Sequence, residues 1–180
     1  MNAHAKLRPP SGAEGWMGCA GWQPNGGSSI YSVEGSCAHW VASECLIHGK
    51  DALDYAGHIH AEDNIKVEVD DEMCAHVQNY INFVRDLAHN TQGILMVEQR
   101  LPIEQITHEA DAHGTSDAVI LAGTELIVVD LKYGKGLAVD ARDNKQLQIY
   151  ALAALDQFGL AEDFQTVRIV IHQPRIGSNQ

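Results

Sequence analysis

Basic residues are scarce in this chain: 12 Lys and Arg stand against 24 Asp and Glu, a formal net charge of -12. Such a balance repels polyanions, which argues against nonspecific nucleic-acid binding and leaves room only for a local basic groove. The halves differ little, with 5 basic to 12 acidic residues over 1–90 and 7 to 12 over 91–180. Cysteine is sparse as well. Cys19, Cys37, Cys45 and Cys74 all fall in the first half without a C-x-x-C pair, so neither a zinc ribbon nor a disulfide framework is indicated, and reduced, mostly buried thiols are expected. No run reaches the roughly 18 to 20 apolar residues of a membrane span, and MNAHAKLRPPSGAEGW lacks the apolar core of a secretory signal; a cytosolic protein without a membrane partner is expected. Internal repeats and low-complexity tracts are also missing.

What is present is 180 residues of 45% apolar composition, enough for one compact domain with a real core. After a loop-like opening, SGAE has the form of a capping box from Ser11 to Glu14, ahead of a short helix and the Gly-rich turn PNGGSS. Glu34–His48 has Cys37, Val41, Cys45 and Ile47 near helical spacing, with His39 inside. From Ile65 to Asn90, Met73, Val77, Tyr80, Ile81, Val84 and Leu87 recur at steps of three and four, which predicts a long amphipathic helix with Asp70, Asp71 and Glu72 in its first turn. ILMVEQRLPI then reads as a strand, followed by the polar loop EQITHEADAHGTS. Two strands are predicted over Asp117–Leu121 and Leu126–Tyr133, joined at Gly123-Thr124 by a type II′ turn. A helix over VDARDNKQLQIYALAALDQFG, with Asp140 or Asp143 near its N-cap and Gly159 past its end, leads to a last strand, TVRIVIHQP, apolar on both faces. Strand, helix, strand implies a right-handed parallel crossover, hence an α/β (α+β) fold with a mixed sheet.

Counting back from a Gly123-Thr124 turn puts Asp117 opposite Asp130, with Cβ atoms roughly 4.5 to 5.5 Å apart. Lys132 projects on the same face as Asp130, about 6.6 Å further along. Like charges across a hairpin are destabilising, and LIVVDLKYG is otherwise an apolar strand, so a compensating cation is expected. A hard divalent ion suits carboxylate oxygens and a backbone carbonyl, and the Leu131 carbonyl is at hand. Gln146 and Tyr150 lie one helical turn apart on one face.

These residues resemble the PD-(D/E)XK nucleases, specifically the RecB-like exonuclease branch. The family's Asp before a strand bearing D/E-x-K matches Asp117, Asp130 and Lys132; its Q-x-x-x-Y helix matches Gln146 and Tyr150; its G-x-x-x-H helix matches Gly35 and His39. SGAEGWMGC and EGSCAHWVASE look like a phage-encoded subgroup. The resemblance implies a restriction-endonuclease-like core, a central mixed β-sheet flanked by helices, in a single domain with residues 1–33 as an N-terminal extension and 34–174 as the catalytic core. It implies a DNA exonuclease of phage recombination or processing, acting in the host cytoplasm. His39, Asp117, Asp130 and the Leu131 carbonyl would hold Mg²⁺ or Mn²⁺, Lys132 would orient water or stabilise developing charge, and Gln146 and Tyr150 would brace the lysine or contact DNA. Implied partners are DNA, a single-strand annealing or binding protein and further copies of the chain in an oligomer. No cysteine follows the Q-x-x-x-Y helix, so no iron–sulfur cluster is expected.

Other readings stand beside this one. Glu44 lies about 140° around the helix from His39, which suits a structural role. Glu98 reads more simply as a solvated strand residue than as a further carboxylate ligand, and His58, His60, His108 and His113 as loop residues than as a zinc site. The same site would also serve an endonuclease or nickase, and the acidic composition fits a non-catalytic scaffold built on a nuclease fold.

Overall fold

The computed structural model describes residues 7–24, 26–176 and 178–179; the first part of the loop-like opening lies outside them. Pro10–Gly12 forms a 3-10 turn that runs into α1 (Ala13–Gly18). Ser11 sits inside that turn, so the expected Ser11–Glu14 capping box is not formed; Gly12 is the N-cap, without a side-chain cap. α2 (Ile30–His48) starts four residues ahead of Glu34, because Ser29 and Ser32 cap it reciprocally. It ends at Gly49, whose φ of 65° supplies the left-handed stop.

The helix expected from Ile65 is corrected at its start. β1 (Ile59–Glu62) and β2 (Ile65–Glu68) form an antiparallel hairpin, and the helix α3 covers only Asp71–Thr91. Asp63 and Asn64 both take positive φ, 49° and 66°, the pair of left-handed residues that a two-residue hairpin turn demands. The two-residue alternation of IKVE then outweighs the helical period, which begins in earnest at Met73. Asp70 Oδ1 accepts from the Met73 amide at 2.7 Å and fixes the helix start.

β3 (Ile94–Pro102), α4 (Glu104–Thr107), β4 (His113–Ala122), β5 (Glu125–Leu131), α5 (Lys145–Phe158), β6 (Thr166–Gln173) and β7 (Ser178–Asn179) complete the chain. The N-cap of α5 is Asn144, which accepts from the Leu147 amide at 3.1 Å, and not Asp140 or Asp143. Asp140 instead holds the Arg142 amide at 2.8 Å, and Asp143 takes φ 58°. The last strand is buried only in its second half, Val170–Gln173; Thr166, Val167 and Arg168 are exposed. The fold is mixed α+β, a central mixed sheet flanked by helices.

Two compact units alternate along the sequence. The first comprises Met1–Asn25, Gln92–Asp130 and Asp140–Val170. Here β4 pairs antiparallel with β3 and β5, and α5 packs on β3 and β4. Val119, Ile120, Ile127, Leu147 and Ile149 are at most 1% exposed, each contributing roughly 1.5 to 3 kcal/mol of burial. The start of β6 meets β5 through the Thr124 carbonyl, which accepts from Gln165 and Thr166.

The second unit comprises Gly26–Thr91, Leu131–Val139 and Ile171–Gln180. α2 packs on α3 and on the β1–β2 hairpin, sealing Val33, Cys37, Val41 and Cys45 beside Met73, Cys74 and Val77. Trp40 stacks on His58 at 4.3 Å. Lys132 donates its amide to the His172 carbonyl at 2.9 Å. With Thr124 bonded to 165 and 166, and residue 132 to 172, β5 and β6 run the same way, as the strand–helix–strand order requires. Arg175 is anchored by Glu34 at 3.1 Å and Glu72 at 3.4 Å, with its guanidinium 4.7 Å from the Tyr133 ring centroid.

Candidate functional site

The hairpin fixes the site. Gly123 takes φ 59° at the turn, and the β4–β5 pairs run from Ala122–Glu125 to Ala118–Val129 in the register counted from that turn. One position beyond the last paired residues, Ala118 and Val129, come Asp117 on β4 and Asp130 on β5. On the other side of β4, the Val97–Ala118 and Gln99–Ser116 pairs leave Glu98 and Asp117 facing each other. Three acidic residues thus occupy one row across three neighbouring strands of the first unit.

Glu98 is exposed and has a φ of 49°, the one positive value for a non-glycine inside a strand among the described residues. A left-handed backbone there costs about 1 to 2 kcal/mol and bends the strand at the carboxylate row. Asp117 is half-buried, whereas Asp130 is only 2% exposed. Two carboxylates about 5 Å apart repel by roughly 3 kcal/mol at an effective dielectric of about 20. Asp130 is steadied by Gln146, in the first turn of α5, which donates from Nε2 to Asp130 Oδ1 at 3.0 Å.

One helical turn on, Tyr150 packs against the same row. Burial pushes its phenol above the ordinary range; the Gln146 hydrogen bond works the other way, and the fields of Asp130, Asp117 and Glu98 add to the rise. The hydroxyl therefore keeps its proton and serves as a donor. Room for the ring comes from Gly114 at the start of β4, where a Cβ would stand 2.7 Å from Tyr150 Cε1 and 3.0 Å from Pro10 Cγ.

The structure brings Asp117, Asp130, Gln146 and Tyr150 together in the first unit. His39, half-buried on α2, belongs to the second unit, as do Leu131, buried at the end of β5, and Lys132. Among the described residues no group of three or more His, Cys, Asp or Glu side chains is gathered around one point to receive an ion. The hard oxygen donors of Asp117 and Asp130 nonetheless have the right chemistry for a divalent cation, whose charge would offset their repulsion. Glu44 pairs with His48 at 3.5 Å. His113 Nδ1 lies 2.7 Å from the Asp111 carbonyl. No helix among the described residues is long and apolar enough to cross a membrane. Gly114, absent from the sequence expectations, carries the signal of a glycine three residues before the first carboxylate.

One comparison with known proteins bears on the chain as a whole. A family model described as "Protein of unknown function (DUF2800)" matches residues 4–180, and the chain belongs to that family.

Proposed function

We propose that the protein is a divalent-metal-dependent DNA exonuclease that hydrolyses phosphodiester bonds at the Asp117–Asp130 row. The observation that carries the reading is a hairpin whose register leads to Asp117 on one strand and Asp130 on the other, Asp130 nearly buried and held by Gln146. A domain seeking stability alone gains nothing from that pair, whereas a metal-binding site requires it.

A bound Mg²⁺ or Mn²⁺ would polarise the scissile phosphate and acidify an attacking water. Asp117 and Asp130 of the first unit would hold it. Gln146 fixes the orientation of Asp130, so the carboxylate is set before substrate arrives. Lys132 supplies positive charge two residues along the chain from Asp130, suited to the negative charge that develops on the phosphate oxygens. Tyr150, protonated, offers a donor to a phosphate oxygen.

The net charge of -12 favours a second reading, a nuclease-fold scaffold that binds protein. Linear and closed-circular DNA incubated with Mg²⁺, Mn²⁺ or EDTA separates the two. Metal-dependent loss of linear DNA alone is the expected result. Cutting of closed circles would make the site that of an endonuclease or nickase, and no loss of either substrate with a folded protein would favour the scaffold.

A further inference from the structure

We infer that the segment from Gly134 to Val139 is a pre-shaped contact for the DNA strand, with Lys135 on a phosphate and Leu137 against the sugar and base. Resting on the nuclease reading, this names a substrate contact outside the carboxylate row. The key is Gln173. Only 2% exposed, it spends its whole carboxamide on this segment: Oε1 accepts from the Val139 amide at 3.0 Å, while Nε2 donates to the carbonyls of Gly134 at 2.8 Å and Leu137 at 3.1 Å. Satisfying a buried amide entirely with the two ends and middle of a surface loop fixes the loop's shape. The residue before it, His172, receives the Lys132 amide. Two consecutive positions of β6 therefore hold both Lys132 and the loop.

The loop is built for an external partner. Lys135 is exposed and makes no hydrogen bond or ion pair among the described residues, and Leu137 is 90% exposed. An exposed apolar side chain two residues from a lysine, on a loop of fixed shape, suits a strand whose sugars and bases are apolar and whose phosphates are anionic. The charge distribution agrees: Lys132, Lys135, Arg142 and Lys145 against Asp140 and Asp143 leave the stretch 132–145 net basic in a chain of net charge -12.

The test is fluorescence anisotropy of a short linear duplex, with Ca²⁺ in place of Mg²⁺ to hold back hydrolysis, over a series of salt concentrations. Wild type, Lys135→Ala and Leu137→Ser are compared, and Mg²⁺-dependent kinetics are run in parallel. Lys135→Ala is expected to weaken binding and lower the slope of log affinity against log salt by about 1. Leu137→Ser should weaken binding with the slope unchanged, and both should raise KM with kcat preserved. If wild type binds or cuts DNA and Lys135→Ala matches it in slope and KM, the loop assignment is overturned and the nuclease reading stands. If folded wild type neither binds nor cuts DNA, both are overturned together.

Discussion

Asp130 shows how far a single residue can reveal purpose. Its carboxylate is nearly buried and held by Gln146, and Asn fills the same space and still accepts from Gln146. Asp130→Asn should therefore abolish hydrolysis while leaving the melting temperature in EDTA unchanged or higher, since a repulsion is removed; a drop beyond about 5 °C would show the charge to be structural. Gly114→Ala should do the opposite, costing about 1 to 3 kcal/mol in chemical denaturation because its Cβ meets the Tyr150 ring and Pro10. His172 gives a pH prediction. It is 4% exposed, against the Tyr80 and Phe83 rings, and neither ring nitrogen has a hydrogen-bond partner among the described residues. Burial pulls its pKa down to about 4 from 6.5. Between those values the unfolded chain binds the proton and the folded one does not, so stability is full above pH 6.5 and is lost as pH falls toward 4, by up to about 3 kcal/mol. Urea midpoints across that range should fall in wild type and fall less in His172→Phe. At this scale the hairpin register was legible as far as Ala118–Val129, because a two-residue turn fixes register by counting. The role of Gly114 and the turned backbone of Glu98 were not, since each depends on groups far away in sequence.

Elements were legible where one period ran long and misjudged where caps and turns decided. The run Met73–Leu87 announced α3, yet the segment before it became β2 because Asp63 and Asn64 accept positive φ and the IKVE alternation continues from them. Asn64→Val, β-branched at φ 66°, should destabilise by about 1 to 2 kcal/mol, while Asn64→Gly should be neutral; equal melting temperatures for all three proteins would refute that account of the hairpin. The Ser29–Ser32 cap of α2 and the Asn144 cap of α5 escaped the sequence pattern because several polar residues compete at each start, and only the backbone path selects among them. The β4–β5 hairpin, by contrast, combines a glycine turn with two apolar strands, and its predicted register is the one observed.

For the whole molecule, the proposed polyanionic substrate would meet an acidic chain, which a local concentration of basic residues would reconcile. The stretch from Lys132 to Lys145 sets four basic residues against Asp140 and Asp143, and binding through so few phosphate contacts should depend only shallowly on salt. Chelation should stop hydrolysis outright, and added Mn²⁺ or Mg²⁺ should restore it. The most direct measurement is the initial rate of degradation of linear DNA by wild type and Lys132→Ala, each verified as folded, with Mg²⁺ and with EDTA. Metal-dependent hydrolysis by wild type and a loss of about 100-fold or more in the variant are expected. Equal rates for the two proteins, or degradation that persists in EDTA, would contradict the nuclease reading.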